Sequence, residues 1–461
     1  MSKVLFVYPN IEGCPMIPLG ISVLSGVLKH YGHEVEIFDV TFMTSNRFDH
    51  IAREKTGTVI KVDFEKYWGE GENFDINEEF RRKILYFKPD LIAFSVVENN
   101  YSCARELFKT AKEVSQAPII AGGLFPTIVP EFFIKDNNVD IICLGEGENA
   151  ILELANRLGE NKDFSNIPNL IVKKDNQVIK NEFGPYYNWE PLIYQDWDVF
   201  DPRHLMKAFV GKMRKTGFFE MSRGCPFNCA YCANNIYQKI FKSLGSYHRE
   251  KPIDSVIEEI EYMKNKHSLE LIFFTDENFM MISPERFEEF AKKFKQKINI
   301  PFFIQTRAES LLDEEKIKTL KDINCATISI GVESGSEEIR KKVLNKHIPN
   351  YIYEKAFANC NKYNIRSTAN IMIGLPFETE KDILASAEFC KKIKAPSIGI
   401  AVFAPYYGTE LRKVCIENGF MEDKYYDNIS MNFKSILKMP QLSEEKLEEL
   451  YYKFNSLVYG N

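Results

Sequence analysis

Short apolar runs alternate with helical patterns through residues 1–158. The runs at 3–8, 35–39, 91–95, 119–121 and 141–144 predict buried strands. Between the first two of them, Leu24, Val27, Leu28 and Tyr31 recur at helical spacing. Strands that alternate with helices in this way predict an α/β domain built on a parallel, doubly wound sheet.

The same alternation restarts at residue 217 and continues to about residue 420. Apolar runs at 218–222, 269–275, 302–306, 326–332, 368–374 and 397–403 predict strands with helices between them. One of these helices starts at Ser283 and Pro284 and buries Phe287, Phe290 and Phe294. Six β/α units in succession predict a partial (β/α)6 TIM-like barrel, whose chemistry lies at the carboxyl ends of its strands.

Two further segments complete the predicted domain organisation. Residues 159–216 form a linker that contains a hairpin, with strands at 170–174 and 177–181 and a turn at Asp175-Asn176. Residues 421–461 form a C-terminal helical tail, in which 443–459 is an amphipathic helix. An insertion at 41–75 has mixed polarity and no assigned role.

Composition limits the classes of partner and the compartment. The chain has 461 residues, of which 45% are hydrophobic and 27% are charged, and its net charge is −6 with both signs interspersed. We therefore expect no electrostatic binding to nucleic acid or to an anionic membrane. No apolar run is long enough to cross a membrane, and residues 1–9 have the pattern of a strand rather than of a signal peptide. These features predict a cytoplasmic protein.

Three cysteines fall within eight residues: Cys225, Cys229 and Cys232. Thiolates at this spacing on one loop can each bind a different iron of one 4Fe-4S cubane, and the absence of a fourth nearby cysteine leaves one iron open. A zinc site usually needs four ligands with paired C-x2-C spacing, and that second pair is missing. Ordinary buried cysteines are the remaining alternative, and they are our interpretation of the seven cysteines outside this loop.

The C-x3-C-x2-C loop, with the aromatic Tyr231 before its last cysteine, resembles the signature of the radical S-adenosylmethionine (SAM) enzymes. The resemblance implies that the open iron binds the amino and carboxylate groups of SAM. It also implies that an electron from the cluster cleaves SAM to a 5′-deoxyadenosyl radical. An external donor such as flavodoxin or ferredoxin would supply that electron.

By the same resemblance, residues at the carboxyl ends of the barrel strands contact SAM. The acidic end of the second strand, Asp276 and Glu277, would contact the amine, and Glu333 and Ser334 would contact the ribose or carboxylate. Gly374 would lie along the adenine, and Arg307 offers a donor for a carboxylate. Two alternatives stay open, because Arg307 can form a structural salt bridge and Glu333 can cap the next helix.

The strand ends of residues 1–158 carry a second set of polar residues and glycines. Singly, the glycines are expected to make tight turns. As an ordered set they resemble the Rossmann-like cobalamin-binding domain that precedes many radical SAM barrels. The set predicted to contact cobalamin comprises Leu19, Gly20, Ser95, Glu98, Gly122, Gly123, Thr127, Gly145 and Glu146.

One departure concerns the loop after the first strand. Many other cobalamin domains have an Asp-x-His-x-x-Gly motif there, whose histidine ligates cobalt. Residues 9–17 contain no histidine, so we expect none from this loop on cobalt. The departure also leaves open a front domain that has lost cobalamin.

Together these resemblances imply a class B-like, cobalamin-dependent radical SAM enzyme that acts on a small molecule. The reaction they favour is C-methylation of an unactivated carbon through methylcobalamin. A rearrangement or cyclisation, with or without bound cobalamin, is one alternative. A cluster-bearing redox or regulatory protein is an alternative of another class. No catalytic residue is identified, and fold analogy alone does not fix the substrate.

Overall fold

The computed structural model describes residues 1–11, 15–43, 54–57, 59–69, 74–427 and 433–460. Parts of the predicted loop 9–17 and of the insertion 41–75 therefore lie outside the described residues. The chain divides into two compact units: the described residues of 1–47, 63–206 and 240–245, and those of 48–62, 207–239 and 246–461. Among the described residues, no helix is long and apolar enough to cross a membrane.

The first unit is built on a seven-stranded sheet. Its strands are β1 (Lys3–Tyr8), β2 (Glu34–Asp39), β3 (Leu91–Ser95), β4 (Ile119–Gly122), β5 (Ile141–Cys143), β6 (Leu170–Lys174) and β7 (Gln177–Lys180). The strand order is β2-β1-β3-β4-β5-β6-β7, and β1 to β5 run parallel. The helices are α1 (Leu19–His30), α2 (Glu65–Trp68), α3 (Ile76–Phe87), α4 (Tyr101–Val114), α5 (Leu124–Ile128), α6 (Pro130–Lys135) and α7 (Glu148–Gly159). The predicted doubly wound sheet is confirmed.

The predicted hairpin is strands β6 and β7, and it extends this sheet. Strand β6 pairs antiparallel with both β5 and β7. The turn residues Asp175 and Asn176 have φ values of 51° and 62°, as expected of a two-residue turn that matches the twist of its strands. Part of the segment expected to be a linker is therefore integral to the first sheet.

The second unit is built on another seven-stranded sheet. Its strands are β8 (Met206–Phe209), β9 (Lys212–Phe219), β12 (Leu271–Phe274), β13 (Phe302–Thr306), β14 (Cys325–Glu333), β15 (Arg366–Ile373) and β16 (Ser397–Val402), while β10 (Ser222–Arg223) and β11 (Arg249–Glu250) form a separate pair. The order is β16-β15-β14-β13-β12-β9-β8. The six predicted strands are present, and β8, which lies in the expected linker, adds a seventh at the edge.

Helices follow most of these strands, as a β/α barrel requires. They are α8 (Ala233–Ile240), α9 (Ile253–His267), α10 (Pro284–Lys297), α11 (Glu314–Asp322), α12 (Glu337–Lys342), α13 (Asn350–Lys362), α14 (Glu380–Lys392), α15 (Glu410–Glu417) and α16 (Glu444–Tyr459). Strands β9, β12, β13, β14, β15 and β16 are parallel neighbours, so their carboxyl ends share one edge. Helix α16 belongs to the predicted tail and packs against α14 and β16.

Alternate residues of the strands face the helices, and aromatic packing holds one part of this core. Phe274 of β12 contacts Phe290 and Phe294 of α10 at centroid distances of 5.8 and 6.4 Å. The start of α10 is as predicted, since the Ser283 hydroxyl accepts a hydrogen bond from the Arg286 N–H at 3.3 Å. The buried helical face predicted from the phenylalanine spacing is thus the one that fixes α10 on the sheet.

Candidate functional site

The three clustered cysteines lie on residues 224–232, here called the cysteine loop, which connects strands β9 and β10 to α8. The loop therefore stands at the edge where the parallel strands end. Among the described residues every cysteine is a free thiol, including Cys225, Cys229 and Cys232. Burial raises the pKa of Cys225 to about 11, and the neighbouring cysteines Cys232 and Cys229 raise it as well. The thiols are thus close together, and binding a metal would release their protons.

The three thiols of the cysteine loop are soft donors of the kind that iron–sulfur clusters take. Among the described residues, no group of three or more His, Cys, Asp or Glu side chains is placed to hold one ion. A tetrahedral zinc site requires such convergence, whereas in a cubane each thiolate binds a different iron.

Arg307 provides a positive charge beside these sulfurs. Its Nη1 lies 3.7 Å from Cys229 Sγ, and its guanidinium stacks 3.7 Å above the ring of Phe227. Its other amino group pairs with Glu309 at 2.8 Å. The structural salt bridge that the sequence left open as an alternative is therefore present, and the same side chain also contacts the cysteine loop.

Asp276 fixes the chain that enters the cysteine loop. Its buried carboxylate accepts hydrogen bonds from the Met221 N–H at 3.0 Å and from the Ser222 hydroxyl at 2.6 Å. Burial raises the pKa of Asp276 to about 6, although these hydrogen bonds oppose the shift. In the structure the Asp276 carboxylate therefore binds Met221 and Ser222 of the protein. Its contact with a SAM amine stays a prediction.

Glu277 faces the same cysteines. Its negative charge acts on Cys225 and Cys232, so the carboxyl lies near both thiols. Much of the residue surface is exposed, yet the carboxyl itself lies among protein atoms, and this burial raises the pKa of Glu277 to about 7. The acidic end of the second barrel strand is thus brought to the cysteine loop, as the sequence predicts.

Glu333 ends strand β14 between two partners. Its Oε1 lies 3.0 Å from Nζ of the buried Lys346, and it shares a hydrogen bond with the Tyr231 hydroxyl. Burial raises the pKa of Tyr231, and the Glu333 charge raises it further. Glu333 does not cap the next helix, because the Ser336 hydroxyl accepts the capping hydrogen bond from the Ile339 N–H at 3.4 Å.

Ser334 is fully buried directly after Glu333. Its hydroxyl accepts a hydrogen bond from the Ser336 N–H at 3.2 Å and lies 3.4 Å from the Ser386 hydroxyl. The structure therefore places Ser334 in the support of the strand end, and its contact with SAM stays a prediction.

Gly374 follows β15 and is held by a buried carboxyl group. The N–H groups of Gly374 and Leu375 donate to Glu378 Oε2 at 2.7 and 3.1 Å. Glu378 Oε1 is also buried, and none of the described residues offers it a hydrogen bond. Burial raises the pKa of Glu378 to about 8, so this carboxyl is largely protonated at neutral pH.

The first unit presents its own set of strand ends. The Thr127 hydroxyl donates to the Gly123 carbonyl at 2.8 Å and accepts from the Gly145 N–H at 2.9 Å, which ties the loops after β4 and β5 together. A Cβ on Gly123 would lie 2.7 Å from the Val96 carbonyl oxygen, and one on Gly145 would lie 2.5 Å from the Phe241 ring. Both glycines also have positive φ. Close packing within the protein therefore requires both residues.

The acidic residues of this set are also placed within the unit. Glu146 accepts a hydrogen bond from the Tyr187 N–H at 2.8 Å, which holds part of the expected linker at the end of β5. Glu98 is buried at the start of a short 3₁₀ turn, Glu98–Asn100, just beyond Ser95 at the end of β3. Ser95, Glu98 and Glu146 thus lie at the carboxyl edge of the sheet, as predicted.

The same edge fits a broad ligand with apolar surface. Leu19 and Gly20 begin α1, and a Cβ on Gly20 would meet nothing within 4 Å. Val97 is 37% exposed after β3, and Leu124 is 45% exposed after β4, beside Gly122. Ligands of doubly wound sheets bind beyond the carboxyl ends of the strands, where these residues lie. Cobalamin contact by the individual residues stays a prediction.

Sequence reasoning missed two residues that organise the barrel edge. Lys346 lies in a polar stretch of ordinary composition and carries no periodic or spacing signal, and Glu378 follows the fifth barrel strand with no role assigned from the sequence. Their burial follows only from the tertiary packing that closes over them.

Two family models match the chain. A radical SAM superfamily model matches residues 219–390, and a B12 binding domain model matches residues 13–155. The first match contains the cysteine loop, and the second covers the parallel strands β2 to β5. Together the two matches indicate a cobalamin-dependent radical SAM enzyme.

Several proteins share most of this architecture. An uncharacterized methyltransferase of Pyrococcus horikoshii is 23% identical over 80% of this chain and 78% of its own length. The cytidylyl-2-hydroxyethylphosphonate methyltransferase of Streptomyces wedmorensis is 22% identical over 95% of this chain and 85% of its own length. The structure of the radical SAM methyltransferase TsrM from Kitasatospora setae, with cobalamin and a [4Fe-4S] cluster bound, is 17% identical with a TM-score of 0.66. The alignment with TsrM covers 91% of this chain and 75% of the TsrM chain.

Proposed function

We propose that this enzyme methylates an unactivated carbon atom of a small molecule. The observation that carries the proposal is the presence in one chain of a B12 binding domain and a radical SAM domain whose cysteine loop has three free thiols. The methyltransferases among its relatives support methylation over ring closure or rearrangement.

The residues that would hold each cofactor are at the two strand edges. In this proposal Cys225, Cys229 and Cys232 hold a 4Fe-4S cluster that leaves one iron for SAM. The front-domain set from Leu19 to Glu146 holds cobalamin. When bound, these cofactors supply reductive SAM cleavage to an organic radical and a methyl group for transfer.

In this proposal the side chains around the cysteine loop bind SAM and orient the cluster-binding loop. Arg307 and Glu309 place a cation against Cys229, which offsets the negative charge of a thiolate-bound cluster. Asp276 holds the entering chain through Met221. Glu277 and Glu333 offer carboxylate acceptors for the ammonium and hydroxyl groups of SAM.

The proposal also covers the electron donor and the cellular compartment. An external flavodoxin or ferredoxin supplies electrons, because the chain offers no second cluster loop. Free thiols at every described cysteine suit a reducing compartment, so we place the enzyme in the cytoplasm.

Isotope tracing tests the reaction. The protein is reconstituted anaerobically with iron, sulfide and cobalamin, then incubated with reductant, trideuteromethyl-labelled SAM and a small-molecule extract of the cells that make it. We expect mass spectrometry to find a product that carries the intact trideuteromethyl group on carbon, and to find it only with cobalamin present. A product formed without the label, by cyclisation or rearrangement, would refute methylation while leaving radical chemistry in place.

A further inference from the structure

Hydrogen bonds from a short segment distant in sequence hold the cysteine loop on one side. Residues 344–346, here called the clamp segment, follow helix α12. The Ala230 N–H donates to the Leu344 carbonyl at 2.9 Å. The side-chain amide of Asn345 donates to the Asn228 carbonyl at 2.8 Å. Two consecutive residues of the clamp segment thus bind the middle of the loop.

The third residue of the clamp segment reaches the loop through a carboxylate. Lys346 is 3% exposed, and its ammonium group donates to Glu333 at 3.0 Å and to the Gly331 carbonyl at 2.5 Å. Glu333 in turn shares a hydrogen bond with Tyr231, which lies between Ala230 and Cys232. A buried ion pair of this kind holds its geometry because neither charge has an alternative partner in water.

The clamp segment is itself anchored to buried structure. The Lys346 N–H donates to the carbonyl of Arg340 at 2.8 Å, and Leu344 is fully buried. The Arg340 guanidinium is also fully buried and donates to the Ile348 carbonyl at 3.0 Å. The segment therefore has the rigidity to impose a shape on the loop.

We propose that the clamp segment shapes the cysteine loop before any cluster is present, with Lys346 as a positioning residue that acts on Tyr231 through Glu333. The inference rests on the proposed function only in taking the loop cysteines as cluster ligands. A preformed loop lowers the ordering cost of cluster binding, because its backbone conformation is already fixed. It also keeps Cys229 covered in the cluster-free protein.

Thiol alkylation of the cluster-free protein tests this proposal without any cofactor. Purified, reduced protein is treated anaerobically with iodoacetamide, and peptide mass spectrometry follows the alkylation rate of each cysteine. Cys360, a fully buried cysteine of the second unit, serves as the internal reference. The substitution Lys346→Met is expected to raise the Cys229 rate about tenfold, the effect of losing a hydrogen bond to a charged group. Asn345→Gly keeps the positive φ of that position and is expected to raise the rate about threefold.

Two further variants make the result decisive. Lys342→Met removes an exposed ion pair with Glu338 on the neighbouring helix and should leave every rate unchanged. The double variant Lys346→Met/Glu333→Gln avoids an unpaired buried carboxylate, so it tests the proposal if Lys346→Met alone does not fold. A loss of structure in the second unit would expose Cys360 along with Cys229, whereas loss of the clamp alone exposes only the loop cysteines.

A kinetic measurement separates positioning from simple support. In reconstituted enzyme, Lys346→Met should raise the KM for SAM by a larger factor than it lowers kcat for SAM cleavage, because Glu333, which it would misplace, is a SAM-binding residue in the proposed function. Folded variants that alkylate at the wild-type rate would overturn the proposal. That outcome would leave the methyl-transfer reaction untouched, since alkylation involves neither SAM nor cobalamin.

Discussion

Replacing Cys229 with serine is expected to abolish formation of 5′-deoxyadenosine from SAM, to the level seen without enzyme. Iron clusters need soft thiolate ligands, and a serine hydroxyl remains protonated and hard at neutral pH. Cys229 is the most buried of the three loop cysteines and lies against Arg307, so no other described cysteine can replace it. The assay is anaerobic reconstitution, reduction with dithionite and chromatographic detection of the nucleoside, together with iron and sulfide counts.

The matched control is Cys103→Ser, which removes a thiol far from the loop in sequence. Burial raises the pKa of Cys103 to about 12, and this residue has no neighbouring cysteine in the sequence with which to share a cluster. We expect this variant to keep the wild-type iron content and nucleoside yield. Full nucleoside formation by Cys229→Ser would contradict the assignment of the loop as the cluster site.

Replacing Glu378 with glutamine is expected to remove a loss of stability that the wild-type protein suffers as pH rises. The folded protein raises the pKa of this carboxyl from 4.5 to about 8. Below pH 4.5 the group is protonated in both folded and unfolded chains, so it costs nothing there. Between about pH 4.5 and 8 only the unfolded chain ionises, and the free energy of unfolding falls. The total loss is roughly 5 kcal/mol, at about 1.4 kcal/mol per pH unit.

Melting temperatures at several pH values measure this effect. Glu378→Gln should melt close to wild type at pH 5 and several degrees above it at pH 8.5, because glutamine keeps an acceptor for the Gly374 and Leu375 N–H groups without a charge. Glu388→Gln, an exposed position on helix α14, which follows Glu378, is the control and should melt like wild type throughout. A constant difference between Glu378→Gln and wild type across this range would show that the carboxyl does not titrate as described.

Hydrophobic periodicity predicted the parallel strands of both sheets. The strand at 302–306 agrees with the structure because a buried apolar run specifies it. The start of α10 agrees because the capping residue Ser283 specifies it. Strand β8 was missed, since Met206–Phe209 is half-buried and resembles a connecting segment. Its place in the sheet depends on pairing with β9, which local sequence does not encode.

The candidate site likewise contains residues that the sequence predicted and residues that it did not. The cysteine spacing and the polar strand ends Asp276, Glu277, Arg307 and Glu333 were visible in the sequence, because parallel strands bring their ends to one edge. The Lys346–Glu333 pair was not, since it joins residues thirteen positions apart across a bulge in β14. Pairings that depend on the path of a loop in three dimensions have no periodic signal.

Electron paramagnetic resonance of the reduced, reconstituted protein, recorded with and without SAM, tests the central claim most directly. The claim is that three cysteines of one loop hold a 4Fe-4S cluster with an open iron that takes SAM as its ligand. The account predicts a cluster signal whose g values change when SAM is added. A cluster signal that is indifferent to SAM, or a protein that retains one zinc ion per chain and no iron, would contradict it.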